Sequence, residues 1–251
     1  MTFTAVILAG SRDGMVDAVA LAEGVAHKAL IVVDGRTMLE RVADAVGHAG
    51  ADTVAVSAND PAVIALATRL GLRVLPPAAG PSDSVATALA ALGTPLLVTT
   101  ADHALLEPEW ISDFLRDVPA DADIAVLLAE RGRIEAAMRD TRRTYLRFAD
   151  GAWSGCNLFY LATPDAARAI GVWRAVEADR KRPWRIVRRF GVGTLLRYLV
   201  GRLTLADAVG RLGQTANVRA AAVAARDGLA AVDVDKASDL ADVRAIIASR
   251  R

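Results

Sequence analysis

Residues 4–42 read TAVILAGSRDGMVDAVALAEGVAHKALIVVDGRTMLERV, and the order of apolar runs and loop in this segment is the clearest sign of the fold class. An apolar run ends at Leu8, a loop containing Gly10 follows, and a second apolar run begins just after Lys28. The apolar segment 3–9 predicts a buried strand, and segment 37–46 has the spacing of an amphipathic helix. A strand, a loop and a helix in this order are typical of a parallel α/β sheet.

The same alternation continues through the first half of the chain. Strands are predicted at 53–57, 73–75, 96–101 and 123–129, and helices at 61–70, 82–92 and 107–115. Short apolar strands separated by helices favour a mostly parallel sheet covered on both faces. The sequence therefore predicts an α/β fold with three layers, α/β/α, of the Rossmann type.

The second half is less regular. Segments 144–148 and 155–161 flank Asp150-Gly151, a turn signal that predicts a small β-hairpin insertion. Residues 164–212 read as a helical insertion.

Closing strands are predicted at 218–224 and 231–234, and a final helix at 238–247 with Ser238 as its N-cap. Without a linker-like segment, one domain over residues 1–251 is expected.

Composition excludes several classes of protein. Thirty Lys and Arg balance 29 Asp and Glu, so the net charge gives no reason to expect a nucleic-acid partner. No apolar run approaches the roughly 18 residues of a membrane-spanning helix. The single Cys156 excludes an intrachain disulfide and a multi-cysteine metal site. No signal-like segment follows Met1, so a cytoplasmic location is expected.

The loop after the first strand is the expected place for phosphate. Gly10 allows the backbone to approach an anion, Ser11 and Arg12 offer hydrogen-bond donors, and Lys28 offers charge. From these residues alone, a turn glycine and a solvated lysine are equally good interpretations. The loop has neither a Walker A nor a G-x-G-x-x-G pattern.

The longer string resembles a family signature. Leu8-Ala9-Gly10, then Arg12, then KALIVVDGRTMLER at 28–41 is similar to the pattern of the nucleotidyltransferases that include molybdenum cofactor guanylyltransferase and the sugar-phosphate nucleotidyltransferases. The resemblance implies the nucleotide-diphospho-sugar transferase fold and a loop that wraps the NTP phosphates, with catalytic charges on Arg12 and Lys28. The implied nucleotide contacts of this loop are Leu8, Ala9, Gly10, Ser11, Arg12 and Lys28. Ser11 replaces a family glycine, and the Ala-rich loop 13–27 is longer than in relatives.

Asp102 follows a strand in LLVTTADHALL, residues 96–106. A carboxylate at a strand end suits Mg²⁺, although a turn-capping role is also open. In the family the matching Asp binds metal, so the resemblance implies the same catalytic, metal-binding role for Asp102. Ala101 and Ala104 replace the Gly and Pro of that motif.

A second metal ligand is implied near the end of the chain. The stretch VDVDKASDL, residues 232–240, resembles the closing motif of the family, in which an Asp completes the metal site. Asp233 is the favoured ligand and Asp235 the alternative. Alternation along an extended chain places both on one side.

Two further segments carry implied contacts. GPSDSVATAL, residues 80–89, resembles the family helix start that contacts base and ribose, which implies nucleotide binding by Gly80 and Ser84. From residue type alone, a helix N-cap role for Ser82 or Ser84 explains this segment as well as nucleotide binding does.

Relatives hold the second substrate on a segment equivalent to GAWSGCNLFYL, residues 151–161. This implies substrate binding by Ser154, Gly155 and Asn157. An Asn157 that only satisfies backbone groups is an equal alternative.

The implied reaction is Mg²⁺-dependent transfer of NMP from CTP or GTP to a phosphorylated small molecule or lipid head-group precursor, with release of pyrophosphate. A non-catalytic nucleotide sensor of the same fold and a metal-dependent glycosyltransferase are the alternatives. Residues 173–190 combine two Trp with seven Arg and Lys. This stretch is compatible with solvated helices, with an acceptor phosphate pocket, or with contact of segment 173–205 with an anionic membrane.

Overall fold

The computed structural model describes residues 2–11, 17–138, 143–178 and 191–250. The chain forms two compact units. The first unit comprises Met1–Asp113 and Val232–Arg251, and the second unit comprises Phe114–Ala231. The prediction of one domain over the whole chain stays a prediction.

The strands of the described residues alternate with helices, as predicted. The strands are β1 Phe3–Leu8, β2 Val32–Val33, β3 Arg36–Thr37, β4 Ala51–Ser57, β5 Arg73–Leu75, β6 Leu96–Thr100, β7 Ile124–Glu130, β8 Leu146–Phe148, β9 Gly151–Leu161 and β10 Ala220–Ala224. The α-helices are α1 Ala18–Ala22, α2 Met38–His48, α3 Pro61–Arg69, α4 Pro81–Leu92, α5 Pro108–Asp117, α6 Arg131–Ala137, α7 Ala169–Ala178, α8 Val192–Leu199, α9 Leu205–Thr215 and α10 Ala237–Ser249. Short 3-10 turns lie at Lys28–Leu30, Pro164–Arg168 and Gly228–Ala231.

The first unit contains four parallel strands in the order β6-β1-β4-β5. Leu8, the last residue of β1, pairs with Ser57 of β4 and Thr100 of β6, so the carboxyl ends of these strands are level. Most strand pairings are parallel and helices lie on both sides of the sheet, which confirms the predicted fold class. Loops that leave this edge are where an α/β protein binds its ligand.

The second unit contains the predicted hairpin. β8 and β9 are antiparallel, and Phe148 pairs with Gly151, whose φ of 138° is in the region that favours glycine. β9 is also antiparallel to β7, and β7 is parallel to β10. Within the described residues, no helix has both the length and the apolar character needed to cross a membrane.

Helix starts follow from local capping. The Thr37 hydroxyl accepts from the Glu40 backbone N–H at 3.2 Å, while Glu40 Oε2 accepts from the Thr37 N–H at 2.7 Å, which is a capping box at the start of α2. Asp60 Oδ1 accepts from the N–H groups of Ala62 and Val63 at the start of α3. The boundaries predicted from the sequence for α2 and α3 agree with the observed ones to within a few residues.

Three expectations about local structure are wrong. The loop predicted over 13–27 contains α1, because Asp17 Oδ1 accepts from the Val19 and Ala20 N–H groups and two side chains of the helix are buried. The strand predicted at 231–234 is not formed, because the chain enters a 3-10 turn at Gly228–Ala231 in which Asp227 Oδ1 accepts from the Leu229 N–H.

The third concerns the final helix. Ser238 does not cap α10, which begins at Ala237. Asp239 Oδ2 instead accepts from the N–H groups of Asp235 and Lys236, each at 3.1 Å. A carboxylate within the first turn also complements the helix dipole, so it replaces the hydroxyl cap.

Asp123 joins three strands of the second unit. Its Oδ2 accepts from the Arg219 N–H at 2.8 Å just before β10, and its Oδ1 accepts from the Thr163 hydroxyl at 2.7 Å just after β9. The side chain is buried. These hydrogen bonds, the Arg219 backbone N–H first and the Thr163 hydroxyl second, lower the pKa of the Asp123 carboxyl.

We expect Asp123→Ala to lower the free energy of unfolding by about 2–4 kcal/mol at pH 7, because it removes two hydrogen bonds to a charged acceptor. Since the folded pKa is depressed, this stabilisation is complete above the unfolded pKa of about 3.9 and disappears as pH falls through the folded value. Urea unfolding at pH 7 and pH 3 measures both effects. Asp121→Ala is the matched control, since Asp121 is exposed and 3.7 Å from Arg219. Equal losses in both variants would contradict this role of Asp123.

Candidate active site

Lys28 begins a 3-10 turn in the first unit, and its side chain reaches across the carboxyl ends of the strands. Ala29 within the turn and Ile31 just after it are completely buried, so the backbone at Lys28 is held by the core. The ammonium forms an ion pair with Asp102 Oδ2 and lies 3.7 Å from Asp235 Oδ1. It also donates to the Val234 carbonyl at 3.4 Å.

Asp102 lies just past the end of β6, as predicted. The Ala101 N–H donates to the Leu8 carbonyl at 3.0 Å, and the Asp102 carbonyl accepts from the Val234 N–H at 3.1 Å. The end of β6 is thereby joined to β1 on one side and to Val234, near the end of the chain, on the other. The side chain is 11% exposed.

Lys28 and Asp102 are both charged. Burial raises the pKa of the Asp102 carboxyl, but the positive charge and hydrogen bond of Lys28 outweigh it, so the pKa lies below its ordinary value. Burial lowers the pKa of the Lys28 ammonium, but the negative charge and the hydrogen bond of Asp102, together with the charges of Asp235 and Asp17, outweigh burial and raise it. The site therefore holds a cation and an anion together in a mostly desolvated position.

Of the two acidic candidates near the end of the chain, Asp235 has the carboxylate that reaches Lys28, although the sequence favours Asp233. The pKa of the Asp235 carboxyl is raised by partial desolvation and then by the negative charge of Asp233, which therefore lies nearby. Asp235 is 72% exposed, so solvent screens these effects. The carboxylates of Asp102 and Asp235 thus both approach the Lys28 ammonium.

The loop after β1 is braced by a residue that the sequence did not reveal. Ser11 donates its N–H to Asn59 Oδ1 at 3.0 Å, and Asn59 Nδ2 donates back to the Ser11 carbonyl at 3.1 Å. A Cβ on Gly10 would lie 3.0 Å from Pro77 Cβ, so the glycine allows a close approach. Asn59 follows β4, the strand beside β1, and that position was the available signal.

Gly80 and Ser84 lie at the start of α4. Gly80 is the N-cap residue and its carbonyl accepts from the Ser84 N–H at 2.9 Å. Ser84 Oγ accepts from the Ala78 N–H at 2.9 Å, so this hydroxyl fastens the loop before the helix instead of capping from the N-cap position. Neither Ser82 nor Ser84 is the N-cap residue, which corrects that interpretation. Nucleotide contacts by Gly80 and Ser84 stay predictions.

The other predicted site residues have separate outcomes. Arg12 lies outside the described residues. Leu8, Ala9, Gly10 and Ser11 lie at the end of β1 and in the loop that follows. On β9 of the second unit, Ser154 and Gly155 pair with Ala129 and Leu128, and Asn157 lies in an irregular stretch with a φ of 51°. Substrate binding by these three stays a prediction.

The carboxylates fit a cation that arrives with phosphate. Within the part of the chain that the structure describes, no group of three or more His, Cys, Asp and Glu side chains is arranged to hold a metal alone. Mg²⁺, however, normally takes one or two carboxylates and completes its octahedron with water and phosphate oxygens. The carboxylates of Asp102 and Asp235, which both approach the Lys28 ammonium, match that donor set.

Comparison with known families decides the class of this protein. The model of the MobA-like NTP transferase domain matches residues 5–189, which include most of β1 together with Lys28, Asp102 and β9. The chain belongs to this family. The predicted nucleotidyltransferase family and enzyme class are therefore confirmed. A comparison with curated proteins finds no match.

Solved structures agree with this assignment. A hypothetical transferase from Thermus thermophilus is 31% identical over 96% of this chain and 100% of its own, with a TM-score of 0.79. A nucleotidyl transferase from Methanothermobacter thermautotroptrophicus is 19% identical over 100% and 99%, with a TM-score of 0.58. A CMP:2-keto-3-deoxy-manno-octonic acid synthetase complexed with CTP is 16% identical over 99% of each chain, with a TM-score of 0.56. The last two resemble this NTP transferase in fold.

Proposed function

We propose that this NTP transferase moves NMP from CTP or GTP to a phosphorylated acceptor and releases pyrophosphate. The Lys28–Asp102–Asp235 group carries the proposal, because it combines a positioned ammonium with two carboxylates at the carboxyl edge of the strands. Phosphate transfer needs little covalent help from a protein. It needs alignment of the reactants and neutralisation of their charge.

In the proposed reaction, a phosphate oxygen of the acceptor forms a bond to the α-phosphorus of the NTP. The bond between the α-phosphorus and its bridging oxygen to the β-phosphorus breaks, and pyrophosphate leaves. The attacking phosphate is already an anion, so no protein group has to remove a proton from it. Lys28 binds the triphosphate oxygens and neutralises the charge that accumulates on them, and Arg12 serves the same purpose from the loop.

We propose Asp102 and Asp235 as the residues that hold Mg²⁺, with Asp233 as the neighbouring carboxylate. When bound, the metal supplies positive charge to the phosphate oxygens. In the absence of nucleotide, the Lys28 ammonium neutralises these carboxylates. Nucleotide and metal would therefore bind together, since the phosphates compete with Asp102 for Lys28. Electron paramagnetic resonance of Mn²⁺ tests this, because weak binding to the protein alone should strengthen when NTP is added.

A pyrophosphate-release assay tests the proposed function. The protein is incubated with Mg²⁺ and with CTP, GTP, ATP or UTP, each paired with a panel of sugar, polyol and lipid head-group phosphates. CTP is tested first, because the names of three solved structures of this fold refer to CMP or to a cytidyl or cytidylyl group. Release that needs both substrates supports the proposal. Clear NTP binding without release from any pair would instead support the nucleotide sensor, and release from nucleotide sugars would support the glycosyltransferase.

Peripheral contact with an anionic membrane and a cytoplasmic location also stay predictions. Leu196, Leu199 and Val200, at the end of α8, are more than half exposed. Exposed apolar side chains next to basic residues suit an anionic lipid surface. We expect the protein to float with vesicles that contain anionic lipid and to be released by salt. A protein that stays at the bottom of the gradient would contradict the membrane contact, and neutral vesicles are the control.

A further inference from the structure

His27 directly precedes the catalytic Lys28 and is buried, with 6% of its surface exposed. Its Nδ1 accepts a hydrogen bond from the Ala29 N–H at 3.0 Å, so His27 is the N-cap of the 3-10 turn Lys28–Leu30. The His27 carbonyl accepts from the Leu30 N–H at 2.9 Å. One residue thus ties both ends of the turn that carries Lys28.

The cap requires a neutral imidazole with its proton on Nε2, because Nδ1 is an acceptor. Burial lowers the pKa of His27, and the charge of Lys28 adds to this, while three carboxylates oppose it. The opposing groups are Asp60, Asp17 and Asp102. Asp17 and Asp60 each accept two backbone N–H groups at helix starts, and Asp102 is paired with Lys28.

A neutral cap has a specific advantage at this position. Asp and Asn cap helical turns about as well as each other. A carboxylate at residue 27, however, would attract the neighbouring ammonium and compete with Asp102. A protonated imidazole would lose the cap and repel Lys28. The imidazole of His27 satisfies the Ala29 N–H without adding charge.

We infer that His27 is a positioning residue, which fixes the turn and, by staying neutral, leaves the Lys28 ammonium to Asp102 and the nucleotide. Its effect on turnover rests on the proposed function. Its effect on Lys28 itself does not, and this permits a test without catalysis.

The test uses the small number of lysines in the chain, which are Lys28, Lys181 and Lys236. A brief pulse of acetic anhydride is followed by mass spectrometry, and the acetylation of Lys28 is divided by that of Lys236. The Lys236 side chain is 55% exposed and serves as the internal standard. Only an uncharged amine reacts, so each unit by which the Lys28 pKa falls raises the ratio about tenfold.

Three variants separate capping from charge. His27→Asn retains a neutral cap, and we expect the wild-type ratio and kcat/KM within about threefold. His27→Leu removes the cap, and we expect the ratio to rise about threefold to tenfold and kcat/KM to fall about tenfold to a hundredfold. His27→Asp keeps a cap but gives it a negative charge. For this variant we expect an acetylation ratio no higher than that of the wild type, together with a reduced kcat/KM.

An unchanged Lys28 ratio in folded His27→Leu, checked by circular dichroism, would overturn the inference. If His27→Leu does not fold, nitrogen-15 NMR of wild-type His27 at pH 7 decides, since a proton on Nδ1 would exclude the cap. Equal kcat/KM for His27→Asn and His27→Asp would overturn the requirement for neutrality. Changed labelling without any turnover would instead leave the positioning intact and contradict the proposed reaction.

Discussion

Replacing Asp102 by Asn is expected to lower kcat/KM for pyrophosphate release by about 10²- to 10³-fold. The amide preserves the shape of the side chain but removes the negative charge that holds the Lys28 ammonium. It also replaces one of the two carboxylates proposed for the cation. Steady-state assays at saturating and limiting Mg²⁺ measure the loss, which should be larger when Mg²⁺ is limiting.

Stability changes less than activity in Asp102→Asn. Removing one member of a fully buried ion pair costs roughly 3–5 kcal/mol, but Lys28 is 23% exposed and keeps Asp235 at 3.7 Å. The free energy of unfolding should therefore fall by less than that range. Asp44→Asn is the matched control, because Asp44 pairs with Arg36 at 3.0 Å on the surface of the same unit. Wild-type turnover in Asp102→Asn would exclude the assigned role.

Replacing Lys28 by Met is expected to lower kcat/KM by a similar factor, about 10²- to 10³-fold. The methionine stem fills the space of the lysine but brings no charge to the triphosphate. The substitution also leaves Asp102 buried beside an apolar group. Without the Lys28 charge, burial dominates and the pKa of the Asp102 carboxyl rises. Nucleotide affinity, measured by calorimetry, should fall together with kcat.

Lys236→Met is the control for Lys28→Met, since Lys236 is exposed and 3.7 Å from Asp239. It should change kcat/KM by less than about twofold. The double variant Lys28→Met/Asp102→Asn tests whether the pair acts as a unit. Because each single change already disables the other residue, the double variant should be scarcely slower than either single variant. Multiplied losses would show that the two residues act independently.

Much of the fold follows from local patterns in the chain. Short continuous apolar runs predict the strands of the first half and period-3.6 apolar spacing predicts its helices, while Asp150-Gly151 predicts the hairpin that β8 and β9 form. The errors lie where a side chain competes for backbone donors. Asp17 starts an unexpected helix, and Asp239 replaces Ser238 at the start of α10. Such competition depends on geometry that spacing alone does not contain.

In the candidate site, too, single residues could be predicted from the sequence, but the contacts between them could not. Lys28 and Asp102 are predicted one at a time, each from its place next to a strand or loop and from a family resemblance. Their ion pair joins positions 74 apart in the chain, and the contact of Lys28 with Val234 joins positions 206 apart. Asn59 carries no motif, and only its hydrogen bonds to Ser11 reveal its role.

The α/β class, the family and the types of chemical group at the carboxyl edge of the strands could be predicted from the sequence, because these depend on residue identity and short spacing. Only the folded chain reveals that Asp235 reaches Lys28, that Asn59 braces the loop, and that His27 caps the turn. Each of these is a contact of a few ångströms between side chains and backbone groups. Such contacts are set by how the strands align and how the loops pack, and local sequence does not encode them.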